Sequence, residues 1–247
     1  LLIVGLNKAL RDNGFFSNGT PVSEPNLMNL IDIVALGTVA DMVALTGVNR
    51  ALVVQGLKVL AKRQNVGLAA LADVSRVDEV PTSYHLGFLL GPRVNAGGRV
   101  GKSNLGALLL STDDDGKAKE IAEKLNKYNL ERKEIETNVL DEALQIAEEK
   151  VKNRSVDSII LVTGENWHPG VIGIVASRLK EKYSLPACVL TSKEGKMTGS
   201  GRSINGIDLG ACVIAARQAG IIENGGGHAM AAGFSLADNK LETFEKF

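Results

Sequence analysis

Neither sign of charge is in excess in this sequence: 28 Lys and Arg residues balance 28 Asp and Glu, for a formal net charge of zero. Nucleic-acid binders often carry a basic surplus, so any such contact here must rest on a local patch. Aromatic residues make up only 4%, too few for a broad base-stacking platform. The two cysteines, Cys188 and Cys212, each sit in an apolar run (ProAlaCysValLeu and AlaCysValIleAla). That excludes a disulfide scaffold and a CxxC metal site. Both read as buried thiols acting as small hydrophobes, in a reducing, cytoplasmic setting. No apolar run approaches the ~20 residues of a membrane span. The opening Leu1-Leu2-Ile3-Val4 has no initiator Met, basic n-region or small-residue cleavage site. It reads as the middle of a helix, and the chain as a fragment of something longer.

What is present is ample apolar matter: 45% of 247 residues are hydrophobic, enough for one large core or two ordinary ones. Up to about residue 113 the spacing predicts Gly-bounded helices over Leu1–Arg11, Leu27–Gly37, Arg50–Arg63, Leu68–Val74 and Tyr84–Leu90. Residues 114–152 then hold one long helix, with Ile121, Leu125, Tyr128, Ile135, Val139, Ala143 and Ile146 at helical intervals. Asp113-Asp114-Asp115 would cap its N-terminus, and its length suits an inter-domain connector. From residue 153 to 247 the pattern becomes α/β. Strands are expected at Ser158–Val162, Pro186–Thr191, Lys196–Ser200 and Gly233–Leu236, and helices at Gly170–Tyr183, Asp208–Gln218 and Leu241–Phe247.

Five segments could carry chemistry. In Gly225-Gly226-Gly227-His228-Ala229-Met230-Ala231-Ala232-Gly233, consecutive glycines let backbone N–H groups converge on an anion. The residues after them are expected to start a helix, whose N-terminus favours negative charge; a tight turn capped by His228 is the plain alternative. Gly199-Ser200-Gly201-Arg202-Ser203 is expected as a loop ending a strand, where Arg202 can grip a phosphate bidentately with Ser200 and Ser203 as donors. Gly91-Pro92-Arg93-Val94-Asn95-Ala96-Gly97-Gly98-Arg99 is expected as another loop, with Arg93, Asn95 and Arg99 suited to phosphate contact or merely solvated. Trp167-His168-Pro169-Gly170 opens a helix with Pro169 at its first position; Trp167 packs or stacks, and His168 caps the loop or faces a ligand. Asp41, leaving an apolar helix through Gly37-Thr38-Val39-Ala40, is a metal ligand or a cap. His85, on an apolar face, reads as a satisfied core residue.

In this order the motifs resemble the RecJ family of single-strand exonucleases, within the DHH phosphoesterase superfamily. The resemblance runs over essentially the whole chain through Val34–Asp41, Gly91–Arg99, Trp167–Leu179, Gly199–Ser203 and Gly225–Gly233. It implies 5′→3′ hydrolysis of single-stranded DNA in repair and recombination, with Mn2+ or Mg2+ held by Asp and His residues. It further implies an α/β chain of three parts: the C-terminal part of a DHH catalytic domain (1–113), a connecting helix (114–152) and a DHH-associated substrate-binding domain (153–247). Asp41 then matches a metal-binding carboxylate. Ser200, Arg202, Gly226, Gly227 and His228 match phosphate-recognition loops, and Arg93 and Arg99 a basic loop facing the cleft. No Asp-His-His occurs in the 247 residues, so a metal pair and catalysis are not expected of this chain by itself. The partners implied are single-stranded DNA, and a single-strand binding protein or helicase, with no membrane. The alternatives are a DHH phosphatase or nanoRNase acting on short nucleotides, a non-catalytic nucleic-acid-binding relative and, least favoured because it leaves Gly91–Arg99 unexplained, a tRNA-editing accessory domain.

Overall fold

The computed structural model describes residues 2–17, 19, 21–153, 156 and 158–247; Leu1, the expected start of the first helix, lies outside them. The chain divides into two units, Leu1–Gly97 with Lys102–Asn129, and Gly98–Gly101 with Leu130–Phe247. No helix among the described residues is long and apolar enough to cross a membrane.

The first unit is helical: α1 (Leu2–Asp12), α2 (Ile31–Ala40), α3 (Gly47–Leu60), α4 (Val66–Val74), α5 (Gly91–Val100), α6 (Leu105–Ser111) and the start of α7 (Asp115–Lys152). Its core joins Leu36, Val53, Leu68, Leu71, Leu86, Leu109 and Leu125. Local chemistry sets the helix starts. Asn65 Oδ1 accepts from the Leu68 N–H at 2.8 Å, and Asp114 Oδ1 from the Lys117 N–H at 3.0 Å, each satisfying a donor the helix leaves open. His85 is buried and satisfied: its Nδ1 accepts from the Thr82 N–H at 2.9 Å, and Nε2 lies 3.1 Å from Glu79 Oε1.

One expectation fails here. Gly91–Arg99 is not a loop but the body of α5, entered through a π-helical turn over His85–Leu90. The glycines serve close packing. A Cβ at Gly91 would lie 2.8 Å from the Leu86 carbonyl oxygen and 2.9 Å from Ala40 Cβ, and one at Gly97 2.7 Å from the Lys102 oxygen. Pro92 sits in the first turn of α5, where a missing N–H costs least. Helix α6 also forms without having been anticipated.

The second unit is an α/β sandwich. Strands β1 (Ile160–Glu165), β2 (Ala187–Lys193), β3 (Lys196–Arg202), β4 (Asn224–His228) and β5 (Ala231–Ala237) form one sheet in the order β1-β2-β3-β5-β4. Only β1 and β2 are parallel, joined through α8 (Pro169–Tyr183), as a parallel pair requires. Alternate strand residues face opposite layers. Ile160, Val162, Ala187 and Val189 pack with α8 and with Val139, Ala143 and Ala147 of α7. Leu161, Cys188, Leu190, Met197, Phe234 and Leu236 face α9 (Leu209–Gln218). The chain closes with α10 (Leu241–Lys246).

Two further expectations need correction. Gly225–His228 is not a loop that starts a helix; it is edge strand β4, hairpinned onto β5. Side chains there would collide with the layer beneath: a Cβ at Gly225 would lie 2.7 Å from Val213 Cγ1 and 2.8 Å from Ile222 Cδ1, and Gly210 of α9 abuts the His228 backbone. Likewise Gly199–Arg202 lies within β3, its Gly199 making room for the Phe234 ring and Gly201 for Leu209 and Cys188.

The cysteines differ. Cys188 is buried, as expected, but Cys212 is exposed on α9. Burial pushes the Cys188 thiol up to about 12. Because the folded value exceeds the unfolded one of ~8.5, this group adds nothing unfavourable below pH 8 and destabilises as pH rises from there towards 12. The expected result with a thiol reagent at pH 8 is one labelled residue, Cys212, in the folded protein and two after denaturation. Mass spectrometry of the labelled peptides checks it.

Candidate functional site

The sheet brings two of the sequence motifs onto one face. Residues paired in register share a face, so the α8 side of β3 carries Lys196, Thr198, Ser200 and Arg202. Beside Arg202 come Ala231 of β5 and His228 of β4; beside Ser200 come Gly233 and Gly226; beside Thr198 come Ser235 and Asn224. With strands ~4.8 Å apart, Arg202 and His228 stand about 10 Å from one another across Ala231. Nothing lies within 4 Å of a Cβ built on Gly226, and only the Gly199 oxygen, at 4.0 Å, reaches one on Gly233. The centre of the face is therefore an open floor of small residues between a guanidinium and an imidazole.

Arg202 is held in place. Its Nη1 donates to Ser200 Oγ at 3.1 Å and to the Gly201 carbonyl at 2.8 Å. Gly173 in α8 passes so close that a Cβ would lie 2.9 Å from both Arg202 Nη2 and Ser200 Oγ. Arg99 joins at the first turn of α8: its Nη1 donates to the Gly170 carbonyl at 3.0 Å. Burial lowers the Arg202 pKa, with the charge of Arg99 adding to the effect. Burial lowers that of Arg99 too, helped by Arg132 and opposed by Glu136. These shifts are the mark of cations pressed together and partly stripped of water, an arrangement that an anion relieves.

His168 caps α8, its Nδ1 accepting from the Gly170 N–H at 3.0 Å, and His228 Nδ1 accepts from the Met230 N–H at 3.3 Å. Both rings then carry their proton on Nε2, as donors. Trp167 packs: it is buried and gives its Nε1–H to Glu142 Oε2 at 2.7 Å. Ser203 is buried, its hydroxyl donating to the Ile207 carbonyl at 2.8 Å and its N–H to the Met230 carbonyl at 2.9 Å; it braces the turn after β3. Gly227 is on β4, where a Cβ would lie 2.2 Å from the Ala231 oxygen.

The remaining candidates belong to the first unit. Arg93 is tied down, with Nε donating to Asn126 Oδ1 at 2.9 Å and Nη1 to the Leu89 carbonyl at 2.7 Å, and burial lowers its pKa. Asn95 is exposed on α5. Asp41 is exposed at the end of α2, its N–H closing that helix on Gly37. It offers one carboxylate; among the described residues no group of three or more His, Cys, Asp or Glu could hold a metal ion.

Sequence reasoning passed over Arg132 and Glu136 of α7, which form a largely buried ion pair beside Arg99. The available signal was a charged residue at the stripe position between Tyr128 and Ile135. It also passed over the Lys196–Thr198 continuation of the β3 row, legible as a period of two.

Residues 156–247 match the DHHA1 domain model. The chain is 38% identical over 251 residues to the single-stranded-DNA-specific exonuclease RecJ of Escherichia coli (strain K12), covering 99% of this chain and 43% of that protein. Crystal structures of RecJ from Thermus thermophilus are similar in fold. The complex with Mn2+ matches at a TM-score of 0.79 with 32% identity, and that with Mg2+ at 0.77 with 30%. They cover 90% of this chain and 32% and 34% of those chains, respectively. The chain thus spans less than half the length of the curated relatives that it matches over 99% of its own.

Proposed function

The chain belongs to the RecJ family, with a DHHA1 domain over residues 156–247, and we propose that the protein degrades single-stranded DNA from the 5′ end, this sheet face holding the strand's phosphates. The observation that carries the reading is the meeting of Arg99, Arg202, Ser200 and His228 around a floor of Ala231, Gly233 and Gly226. Fork-shaped guanidinium donors match phosphate oxygens, and the bare floor lets a backbone approach without a steric barrier. In this reading the face binds and orients the substrate, with the His228 Nε2–H as a further donor.

Hydrolysis in this reading uses Mn2+ or Mg2+, to which Asp41 contributes a carboxylate. The described residues do not make up a metal site by themselves, so no hydrolytic step is assigned to them. A role in repair and recombination, beside a single-strand binding protein or helicase, follows from the same reading.

The test is the full-length protein with manganese, incubated with 5′-labelled single-stranded and duplex DNA. The expected result is label released as mononucleotide from the single strand and a duplex left intact. Equal attack on both, or on neither, overturns the proposal.

A further inference from the structure

The polar row on β3 does not stop at Ser200. It continues through Thr198 to Lys196, and at that end it meets a cavity of about 680 Å3 lined by Thr191, Lys193, Glu194, Lys196, Thr198 and His168, among others. The cavity lies beyond the C-terminal ends of β1 and β2, by the N-terminal end of α8, which is where open α/β sheets take ligands.

Its chemistry is that of a second anion site. Lys193 and Lys196 are paired directly across β2 and β3. The tight turn that sets this pairing has Glu194 and Gly195 both at positive φ, 53° and 78°, as two-residue hairpins require. Like charges opposed in this way repel, and an anion between them removes the repulsion. One rung inward, Thr191 pairs with Thr198. Thr191 is only 6% exposed and its Oγ1 has no hydrogen-bond partner among the described residues; a phosphate oxygen is the acceptor that such a donor lacks. Glu223 is a weak competitor, since its contact with Lys196 is 3.6 Å long and exposed, and ion pairs of that kind hold little energy.

Resting on the functional reading above, we infer that Lys193, Lys196, Thr191 and Thr198 form a second phosphate subsite, holding a phosphodiester further along the same single strand whose first phosphate lies at Arg202. From Arg202 back to Lys196 the strand rises about 20 Å. Alternate side chains thus repeat about every 6.8 Å, a spacing suited to successive nucleotides of an extended chain. Helix α8 walls the row on one side; Ala231, Gly233 and Ser235 leave the other side low. The strand lies along β3, from the arginines towards the lysines.

The experiment compares the full-length protein with its Lys193→Gln/Lys196→Gln variant for binding to a 5′-phosphorylated dinucleotide and to a long oligothymidylate, across a salt series. The dinucleotide is too short to reach from Arg202 to the lysines. The expected result is an unchanged dinucleotide affinity, a roughly three- to tenfold loss for the long strand and a salt slope shallower by up to about 1.4, or about 0.7 for each phosphate that a lysine no longer neutralises. Thr198→Val, an exposed change that leaves the lysines in place, should weaken only the long strand as well. No loss for the long strand, or equal losses for both lengths, overturns the second subsite. If Arg202→Ala weakens binding while the lysine variant does not, the subsite fails and the functional reading stands. If the wild-type protein binds no single strand, both fall.

Discussion

Replacing Arg202 by Ala weakens single-strand binding by about 1–3 kcal/mol, the range for losing a charge-assisted hydrogen bond. Three features place the expectation in the upper part of that range. The guanidinium is already half-buried and oriented by Ser200 Oγ and the Gly201 carbonyl, so a phosphate finds it with little rotamer entropy left to lose. Its pKa is lowered first by burial and then by Arg99. Since arginine stays charged at any working pH, that lowering marks a charge partly stripped of water and pressed by Arg99, which a phosphate compensates. The floor beside it is bare, so on that side no side chain substitutes for the missing guanidinium. Arg202→Lys should fall between wild type and Ala, because it keeps the charge and loses the two-pronged geometry. Fluorescence anisotropy with a labelled oligothymidylate at fixed salt reads the effect. An affinity equal to wild type removes Arg202 from the site.

The parts of this fold legible in the sequence are those where side chains carry the signal. Strands β1 and β2 are runs of branched apolar residues, and α7 and α8 have an apolar stripe and a cap at Asp114 or His168. What could not be read is where missing side chains carry it. Asn224-Gly225-Gly226-Gly227-His228 has almost no strand propensity of its own; it becomes β4 because β5 offers its edge and α9 leaves no room for a Cβ at Gly225. Gly91 and Gly97 act as contact points in a helix where local reading sees loop punctuation. The motifs at Gly199–Ser203 and Gly225–Gly233 were legible in the sequence as candidates for phosphate contact. Their arrangement was not, because it depends on β5 inserting between β3 and β4. That insertion places small residues between Arg202 and His228. It replaces the expected helix N-terminus with a flat sheet face.

The two glycines at the start of α8 separate stability from binding: the same added methyl should move stability in opposite directions while weakening binding at both. At Gly170 a Cβ would lie 2.3 Å from the Arg99 carbonyl oxygen and 2.9 Å from its carbon. Backbone cannot step aside as a side-chain tip can, so Gly170→Ala forces the helix and the Arg99 segment apart, breaking the Arg99–Gly170 hydrogen bond. The expected cost is about 1–3 kcal/mol of stability, as for overpacking elsewhere, together with weaker strand binding as Arg99 is displaced. At Gly173 the nearest atoms to such a Cβ would be Arg202 Nη2 and Ser200 Oγ, both at 2.9 Å, then Arg202 Cζ at 3.6 Å. These are ends of movable side chains, and Ala inside a helix is favoured over Gly by up to about 1 kcal/mol. Gly173→Ala should therefore melt at or above the wild-type temperature while binding single-stranded DNA roughly fivefold or more weakly, about 1 kcal/mol, because the Arg202 fork is pushed off its seat. Thermal unfolding and anisotropy on the same two variants check both halves. A Gly173→Ala protein that binds like wild type would mean that the position of Arg202 against α8 does not matter to the strand. The site would then reduce to its charge alone.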